Sequence, residues 1–381
     1  MHCRRSEKSI YSTHPYEVRC KMNLPQIKLN GLTAAVPIVQ GAMGIGVSGA
    51  RLAAAVANEG GIGMISGVNV GYREPDFSDH TSEANLRGLV SEIRKARKLA
   101  PKGIIGLNLL VAMNQYQELA KAAVDEGIDL IVSGAGLPLK LPELVKGSKT
   151  RIAPIVSSGR AAEIILKYWD RHFDATADMV VVEGTEAGGH LGYSAEILAG
   201  PDKPKLLDTL KEVLETVKPF GEKFKKHIPV IAGGGVFDGS DIAECIRDGA
   251  DGVQMATRFV ATDECDAERA YKEAYVNAKE EDIVIIKSPV GMPGRALNNA
   301  FIKRVAKCGD DIKGCFSCLK GCNPKVAPYC ISKALINAVT GKVDDGLIFV
   351  GSNVHRVKEI VPVRELIAEL TSEAEATLAG C

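Results

Sequence analysis

Short apolar segments recur along the chain and alternate with longer stretches whose apolar positions follow a helical period. Eight of the short segments are continuously apolar, which is typical of strands buried on both faces. They cover residues 37–40, 62–66, 104–110, 130–133, 152–156, 179–183, 229–232 and 252–256. The amphipathic stretches predict helices over residues 50–58, 83–99, 115–125, 161–169, 206–224 and 240–248, with a weak helix around 141–146.

This alternation predicts the fold class. Eight strand–helix units over about 250 residues are the count of a (β/α)8 TIM barrel. A doubly wound sheet is the alternative, although it usually has fewer strands. Ser48 and Ser82 are placed to begin helices, because their hydroxyls accept from free backbone N–H groups. Gly60, Gly127 and Gly249 are placed to end them.

The pattern changes after residue 285. We predict a barrel over residues 22–285 and a smaller, mostly helical cap or lid over 286–381, with helices over 332–340 and 363–373. Residues 1–21 are polar and basic, and we interpret them as a disordered tail or as the product of an upstream start codon, with Met22 as the true start. A transit peptide is the alternative.

Composition removes several functional classes. Lys and Arg together number 47, as do Asp and Glu, so no basic surface for nucleic acid is expected. No apolar run approaches the roughly 20 residues of a membrane helix. The ten cysteines are too dispersed for a small disulfide scaffold. We therefore expect a cytoplasmic protein that acts on a small molecule, with oligomer formation left open.

In a TIM barrel the active site lies at the C-terminal ends of the strands, and distinctive residues occur there. Gly234 and Gly235 follow the seventh predicted strand and Thr257 follows the eighth. The loops after these two strands form phosphate sites in many barrels, through backbone N–H groups. The alternative is a glycine-rich tight turn.

The loop after the first strand suits a flat, apolar ring with one polar edge, such as a flavin. It contains Gln40, Gly41 and Met43. Small residues let the backbone approach such a ring closely. The alternative is an ordinary strand-to-helix turn, with Met43 packed in the core.

His190 is the candidate catalytic residue. It lies in a glycine-rich loop that follows the sixth strand, with Glu183 at the start of the loop and Glu186 four residues before the histidine. A histidine that titrates near neutral pH suits a general base acting on a carbon acid. The alternative is a histidine of the surface or core.

Five cysteines are concentrated in the predicted lid. Cys315, Cys318, Cys322 and Cys330 follow Cys308 at short intervals. Thiolates at this density hold iron–sulfur clusters or zinc in other proteins. The spacing matches neither a common ferredoxin motif nor a paired zinc motif, so reduced thiols in a lid are the alternative. Cys245, Cys265 and Cys381 have no comparable setting, and we expect Cys245 in the core.

Taken in order, these loops resemble the nitronate monooxygenase family, which shares its barrel with flavin-dependent enoyl-acyl-carrier-protein reductases. The resemblance covers about residues 24–280, and Glu-Ala-Gly-Gly-His-Leu-Gly at 186–192 is its most specific element. It implies non-covalent FMN, His190 as the base that takes a proton from a nitroalkane, and oxygen as the oxidant. It also implies that the flavin or its phosphate contacts Gln40, Gly41, Met43, Asn108, Glu183, Gly188, Gly234, Gly235, Gln254, Met255, Ala256 and Thr257.

The chain departs from the family pattern at three places. Glu183 replaces a common Gln, and a carboxylate there would disfavour an anionic reduced flavin. Ala256 replaces a common Gly, with little expected effect. The cysteine-rich segment is a third departure, and it suggests an anaerobic setting.

Three functions follow as hypotheses. The first is an FMN-dependent nitronate monooxygenase. The second is an FMN-dependent reductase that takes electrons from NAD(P)H and acts on an enoyl thioester; no GxGxxG follows a first strand to mark a nucleotide site of the Rossmann type. The third is a non-catalytic redox protein that binds flavin or a metal cluster.

Overall fold

A closed barrel of eight parallel strands forms the centre of the molecule, in a computed structural model that describes residues 24–380. The predicted tail, the start at Met22 and Cys381 lie outside these residues. The barrel strands are β3 (Ile38–Gln40), β4 (Ile62–Ser66), β5 (Ile104–Leu110), β6 (Leu130–Gly134), β7 (Arg151–Val156), β8 (Val180–Glu183), β10 (Val230–Gly233) and β11 (Gly252–Met255). Their hydrogen-bonded order is β10-β11-β3-β4-β5-β6-β7-β8, which confirms the predicted TIM barrel.

The strand register brings the predicted site residues to one end of the barrel. Glu183 at the end of β8 pairs with Gly233 at the end of β10, and Ser66 on β4 pairs with Asn108 on β5. Gly233 in turn pairs with Gln254 on β11. Residues distant in sequence therefore become neighbours because parallel strands end at the same face.

A hairpin closes the opposite end of the barrel. It consists of β1 (Ile27–Leu29) and β2 (Leu32–Ala34). Ile27 and Leu29 are fully buried and belong to the same apolar cluster as the inward-facing barrel residues Val39, Met64 and Val181. The barrel interior is thus a packed core, and open space is left at the C-terminal ends of the strands.

Helices surround the barrel, and all but the short helix Ala195–Ala199 bury apolar side chains in the cluster around it. They are α1 (Ala50–Asn58), α2 (Thr81–Leu99), α3 (Tyr116–Asp125), α4 (Leu141–Leu144), α5 (Gly159–Phe173), α6 (Ala195–Ala199), α7 (Leu206–Phe224), α8 (Gly239–Arg247) and α9 (Thr257–Val260). Within residues 24–380, no helix is long and apolar enough to cross a membrane.

Two of the predicted helix starts are wrong. Helix α1 begins after Gly49, and α2 begins at Thr81 after His80, so neither Ser48 nor Ser82 is the N-terminal capping residue. The Ser48 hydroxyl instead accepts from the backbone N–H of Met43 at 2.9 Å. Gly60, Gly127 and Gly249 stand just after α1, α3 and α8, as predicted.

The C-terminal third covers the open end of the barrel. It contains α10 (Arg269–Val276), β12 (Ile283–Lys287), β13 (Pro293–Leu297), α11 (Ala300–Cys308), α12 (Ile331–Val339) and α13 (Val363–Ala379). Strand β13 pairs with both β12 and the short strand β9 (Gly189–His190). Strands β12 and β13 were not predicted, because an apolar run that follows the eighth barrel strand has no place in the barrel pattern.

The final helix returns to the barrel. Helix α13 packs against α8 and α1, where the eighth helix of the outer ring belongs. The predicted lid thus also contributes a barrel helix. Its boundary at residue 285 stays a prediction about folding units.

Candidate active site

A cavity of about 380 Å³ opens between the C-terminal ends of the barrel strands and the covering segments. Almost every predicted site residue lines it: Gly41, Met43, Asn108, Glu183, Gly188, His190, Gly234, Gly235, Gln254, Met255, Ala256 and Thr257. Loops far apart in sequence therefore converge on one space.

Gln40 does not line the cavity. Its side chain is fully buried, and its Nε2 donates to Gly41 O at 2.7 Å and to Ser48 Oγ at 2.9 Å. Its Oε1 accepts from the backbone N–H of Met64 at 3.0 Å. Gln40 therefore fixes the Gly41 loop through its side chain, and its contact with a ligand stays a prediction.

Backbone donors face the cavity after β10. Gly234 and Gly235 have φ angles of +93° and +102°, which glycine adopts readily and other residues rarely do. Among the described residues, their N–H groups have no hydrogen-bond partner. Asn353 Nδ2 donates to Gly235 O at 2.7 Å and so holds the loop in place. Free, fixed N–H groups of this kind suit an anion such as a phosphate.

His190 is fixed by the segment that covers the barrel. Its Nε2 lies 2.7 Å from Ser288 Oγ, and the edge of its ring packs against Phe349 at 4.9 Å between centroids. Strand pairing with Gly294 orders its backbone. Burial lowers the pKa of His190 to about 4, so the imidazole is neutral at physiological pH. A neutral imidazole can accept a proton.

The His190 loop depends on a close approach between segments. A side chain at Gly188 would lie 2.7 Å from the backbone of Val350, so only glycine fits there. Beneath the loop, Arg295 is 4% exposed and donates to the carbonyl oxygens of Thr185 and Ala187. These contacts couple the position of His190 to the residues that follow the barrel.

Glu183 is the acidic group of the site that lies at the end of a barrel strand; Glu186, in the following loop, also lines the cavity. Glu183 ends β8 beside Gly233, and its side chain lines the cavity. Burial raises its pKa to about 7, because the surrounding protein cannot solvate a carboxylate as water does. Glu183 is therefore largely protonated below pH 7 and can donate a hydrogen bond.

The outer part of the cavity is apolar. Its walls include Met113, Leu319, Ile331 and Leu335, together with Val290 from the turn that joins β12 and β13. An apolar wall of this kind suits a substrate with a hydrocarbon portion.

Ser288, Arg295 and Phe349 are site residues that were not predicted. None of the three belongs to a recognisable sequence motif. A buried arginine in a strand between apolar residues is the one signal that could have drawn attention to Arg295.

The predicted metal ligands lie at the edge of the site. Cys318 lines the cavity, whereas Cys315, Cys322 and Cys330 lie outside its wall. Within residues 24–380, no three His, Cys, Asp or Glu side chains are arranged closely enough to hold a metal ion. Cys245 lies in the core, as expected, and Cys265 is also buried.

The barrel, the neutral histidine and the glycine loop with free backbone N–H groups agree with a flavin-dependent oxidoreductase. Comparison with known proteins agrees, because the model of the nitronate monooxygenase family matches residues 26–373. The chain belongs to that family.

The individual relatives share less than 30% of their residues with this chain. A probable nitronate monooxygenase of Staphylococcus saprophyticus is 28% identical over 303 residues, which cover 74% of this chain and 81% of the relative. The (3aS,4S,5R,7aS)-5-hydroxy-7a-methyl-1-oxo-octahydro-1H-indene-4-carboxyl-CoA dehydrogenase of Rhodococcus jostii is 27% identical over 274 residues, covering 72% and 66%. FabK from Thermotoga maritima superposes with a TM-score of 0.70 at 28% identity, covering 91% of this chain and 94% of FabK.

Proposed function

We propose that this protein is an FMN-dependent nitronate monooxygenase, which converts alkyl nitronates by oxidative denitrification with oxygen. The observation that carries the proposal is His190: a neutral imidazole, held at the cavity by Ser288, in the family's most specific motif. Family membership over residues 26–373 supports the same activity.

The residues of the cavity fit FMN. The unpaired N–H groups of Gly234 and Gly235 would bind the phosphate, with the Thr257 hydroxyl beside them. Gly41 and Met43 would lie against the ring system, since a side chain at position 41 would come within 3.2 Å of Ala256 Cβ and narrow the cavity. When bound, FMN supplies the redox chemistry, by accepting electrons from the substrate and passing them to oxygen.

His190 would accept the proton from the carbon next to a nitro group. With a pKa of about 4 in the free protein, it is fully available as an acceptor at neutral pH. The same burial makes the imidazole a weak base before substrate binds. Proton transfer would create an anionic nitronate beside the imidazolium, and this attraction in a desolvated cavity raises the basicity of the histidine.

Glu183 would act as a neutral partner of the flavin. A carboxylate would repel negative charge on the reduced ring, which was the concern raised by the sequence. Because burial raises its pKa to about 7, the group can instead donate a hydrogen bond below that pH. The substitution of Glu for Gln is thereby compatible with flavin chemistry.

An enoyl-thioester reductase is the second candidate. It is favoured by the apolar outer cavity, and the Rhodococcus jostii relative is named for a CoA thioester. Rapid reduction of the flavin by NADH or NADPH would be its signature.

The test is His190→Asn, assayed with a neutral nitroalkane and with the pre-formed nitronate. Loss of the base should lower kcat/KM for the nitroalkane by roughly 100-fold or more, while the nitronate loses much less. His172→Asn, at an exposed position of α5, is the control and should match the wild type. Equal losses on both substrates, at unchanged FMN content, would refute the assignment of His190 as the base.

A further inference from the structure

We propose that Arg295 is a positioning residue for the cofactor phosphate, because it turns two backbone N–H groups of the loop after β8 toward the cavity. The inference rests on the FMN placement proposed above and extends it. The phosphate would be held by two loops, 184–188 as well as 234–235, and a residue outside the cavity wall would set its affinity.

Arg295 is a buried cation whose partners are backbone carbonyls. It lies on β13, where it pairs with Gly189, and it is almost fully buried. Its Nη1 donates to the carbonyl oxygen of Thr185 at 3.0 Å and to that of Ala187. A guanidinium group is planar and presents its N–H donors in a fixed arrangement. One side chain therefore fixes two peptide groups of the loop.

The two carbonyls determine where the next N–H groups point. The peptide bonds after Thr185 and Ala187 are trans, and in a planar trans peptide the C=O and N–H bonds point in opposite directions. The N–H groups of Glu186 and Gly188 therefore point away from Arg295, and both residues line the cavity. In the part of the chain that the structure describes, neither N–H has a backbone hydrogen-bond partner. Both are available to an anion.

The loop that Arg295 fixes lies beside the glycine loop after β10. A side chain at Gly234 would come within 3.2 Å of Ala187 Cβ, and one at Gly235 would come within 3.2 Å of Glu186 Cβ. The N–H groups of both loops therefore border the same part of the cavity. Several N–H groups that converge from adjacent loops form a site for the oxygens of a phosphate.

Arg295 also offsets a negative charge at this place. Glu186 lines the cavity, and its Oε2 lies 3.8 Å from Arg295 Nη2. A carboxylate repels a nearby phosphate, and the repulsion grows where little water screens the two charges. The guanidinium therefore acts in two ways, since it orients the N–H donors and compensates the charge of Glu186.

Riboflavin separates this role from a general structural one. It has the ring system of FMN and lacks the phosphate, so contacts with the ring are the same for both ligands. Loss of the Arg295 guanidinium frees the 185–188 loop and weakens the phosphate contacts alone. A residue that only stabilised the fold would affect both flavins equally.

The experiment is a fluorescence titration of flavin-free, full-length protein with FMN and with riboflavin. The wild type should bind FMN more tightly than riboflavin. Arg295→Met should weaken FMN binding by about 10- to 100-fold, because hydrogen bonds to a charged acceptor are lost, and should change riboflavin binding by less than about 2-fold. Arg295→Lys keeps the charge and one donor group, so its FMN affinity should lie between those of the wild type and Arg295→Met.

Arg151→Met is the matched control. Arg151 also donates to backbone carbonyls, those of Asn30 and Lys149, but it lies beside the hairpin that closes the opposite end of the barrel. Loss of its guanidinium should leave the dissociation constants of both flavins unchanged.

Equal weakening of FMN and riboflavin binding in the Arg295 variants would overturn the inference, and so would wild-type protein that binds the two flavins equally. Arg295→Lys decides the question if Arg295→Met is not recovered in folded form. The titration does not use turnover. Loss of nitronate activity with the preference for FMN intact would refute the proposed reaction and leave the role of Arg295 standing.

Discussion

Glu183→Gln removes the ionisable carboxyl group that lines the flavin cavity at the end of β8. The change keeps the size and hydrogen-bonding capacity of the side chain and abolishes its ionisation. It therefore isolates the free energy of keeping a carboxyl group protonated at this position.

The magnitude follows from the pKa. Burial raises the pKa of Glu183 from 4.5 to about 7, and each unit corresponds to about 1.4 kcal/mol, so the total is about 3 kcal/mol. Below pH 4.5 the carboxyl is protonated in both folded and unfolded chains. Between pH 4.5 and 7 the unfolded chain has released its proton while the folded chain keeps it, so the folded state progressively loses stability, and the loss levels off above pH 7.

The assay is urea unfolding of flavin-free protein at about pH 5 and pH 8. The wild type should lose up to about 3 kcal/mol more stability between these values than Glu183→Gln does. Glu222→Gln, an exposed change on α7, should follow the wild type. A pH dependence that is identical in wild type and Glu183→Gln would refute the claim that Glu183 is a buried neutral acid.

Three further predictions concern the glycine loop at Gly235, the contacts of Arg295 with the His190 loop, and His190 as the base. Gly235→Val should abolish FMN retention, measured by absorbance of the purified protein, because position 235 has a φ of +102° and faces the cavity; Gly127→Ala, at a φ of +71° with open space around it, should keep full FMN. Arg295→Met should lower the free energy of unfolding by about 2–5 kcal/mol, since two buried carbonyls lose their donor; unchanged urea unfolding would contradict this. Between pH 6.5 and 4, kcat/KM for a neutral nitroalkane should stay constant and fall only near pH 4, because His190 is active when unprotonated; a midpoint near 6.5 would show an ordinary, solvated histidine.

The barrel could be predicted because short sequence patterns specify each of its strands. Each strand is a continuous apolar run, and the predicted site residues lie near the end of such a run or in the loop after it, as Gly234 follows β10 and His190 lies in the loop after β8. Once the strands are counted, the fold itself brings their C-terminal ends together. No long-range information is needed for that step.

The residues that fix the base could not be predicted, because their roles depend on tertiary contacts. Ser288 and Arg295 meet the His190 loop only because β13 pairs with β9. The role of the Gln40 side chain depends on tertiary contacts in the same way, because its amide completes buried hydrogen bonds to Ser48 and Met64. Local sequence patterns do not show whether a side chain at the end of a strand points toward the cavity or into the core.

The most direct test of the proposed function is the absorbance of the bound flavin under anaerobic conditions. We predict that a pre-formed alkyl nitronate bleaches the flavin bands rapidly, that NADH and NADPH do not, and that admitting oxygen restores the bands. Rapid bleaching by either nucleotide, with no response to the nitronate, would contradict the monooxygenase assignment and identify the enoyl-thioester reductase.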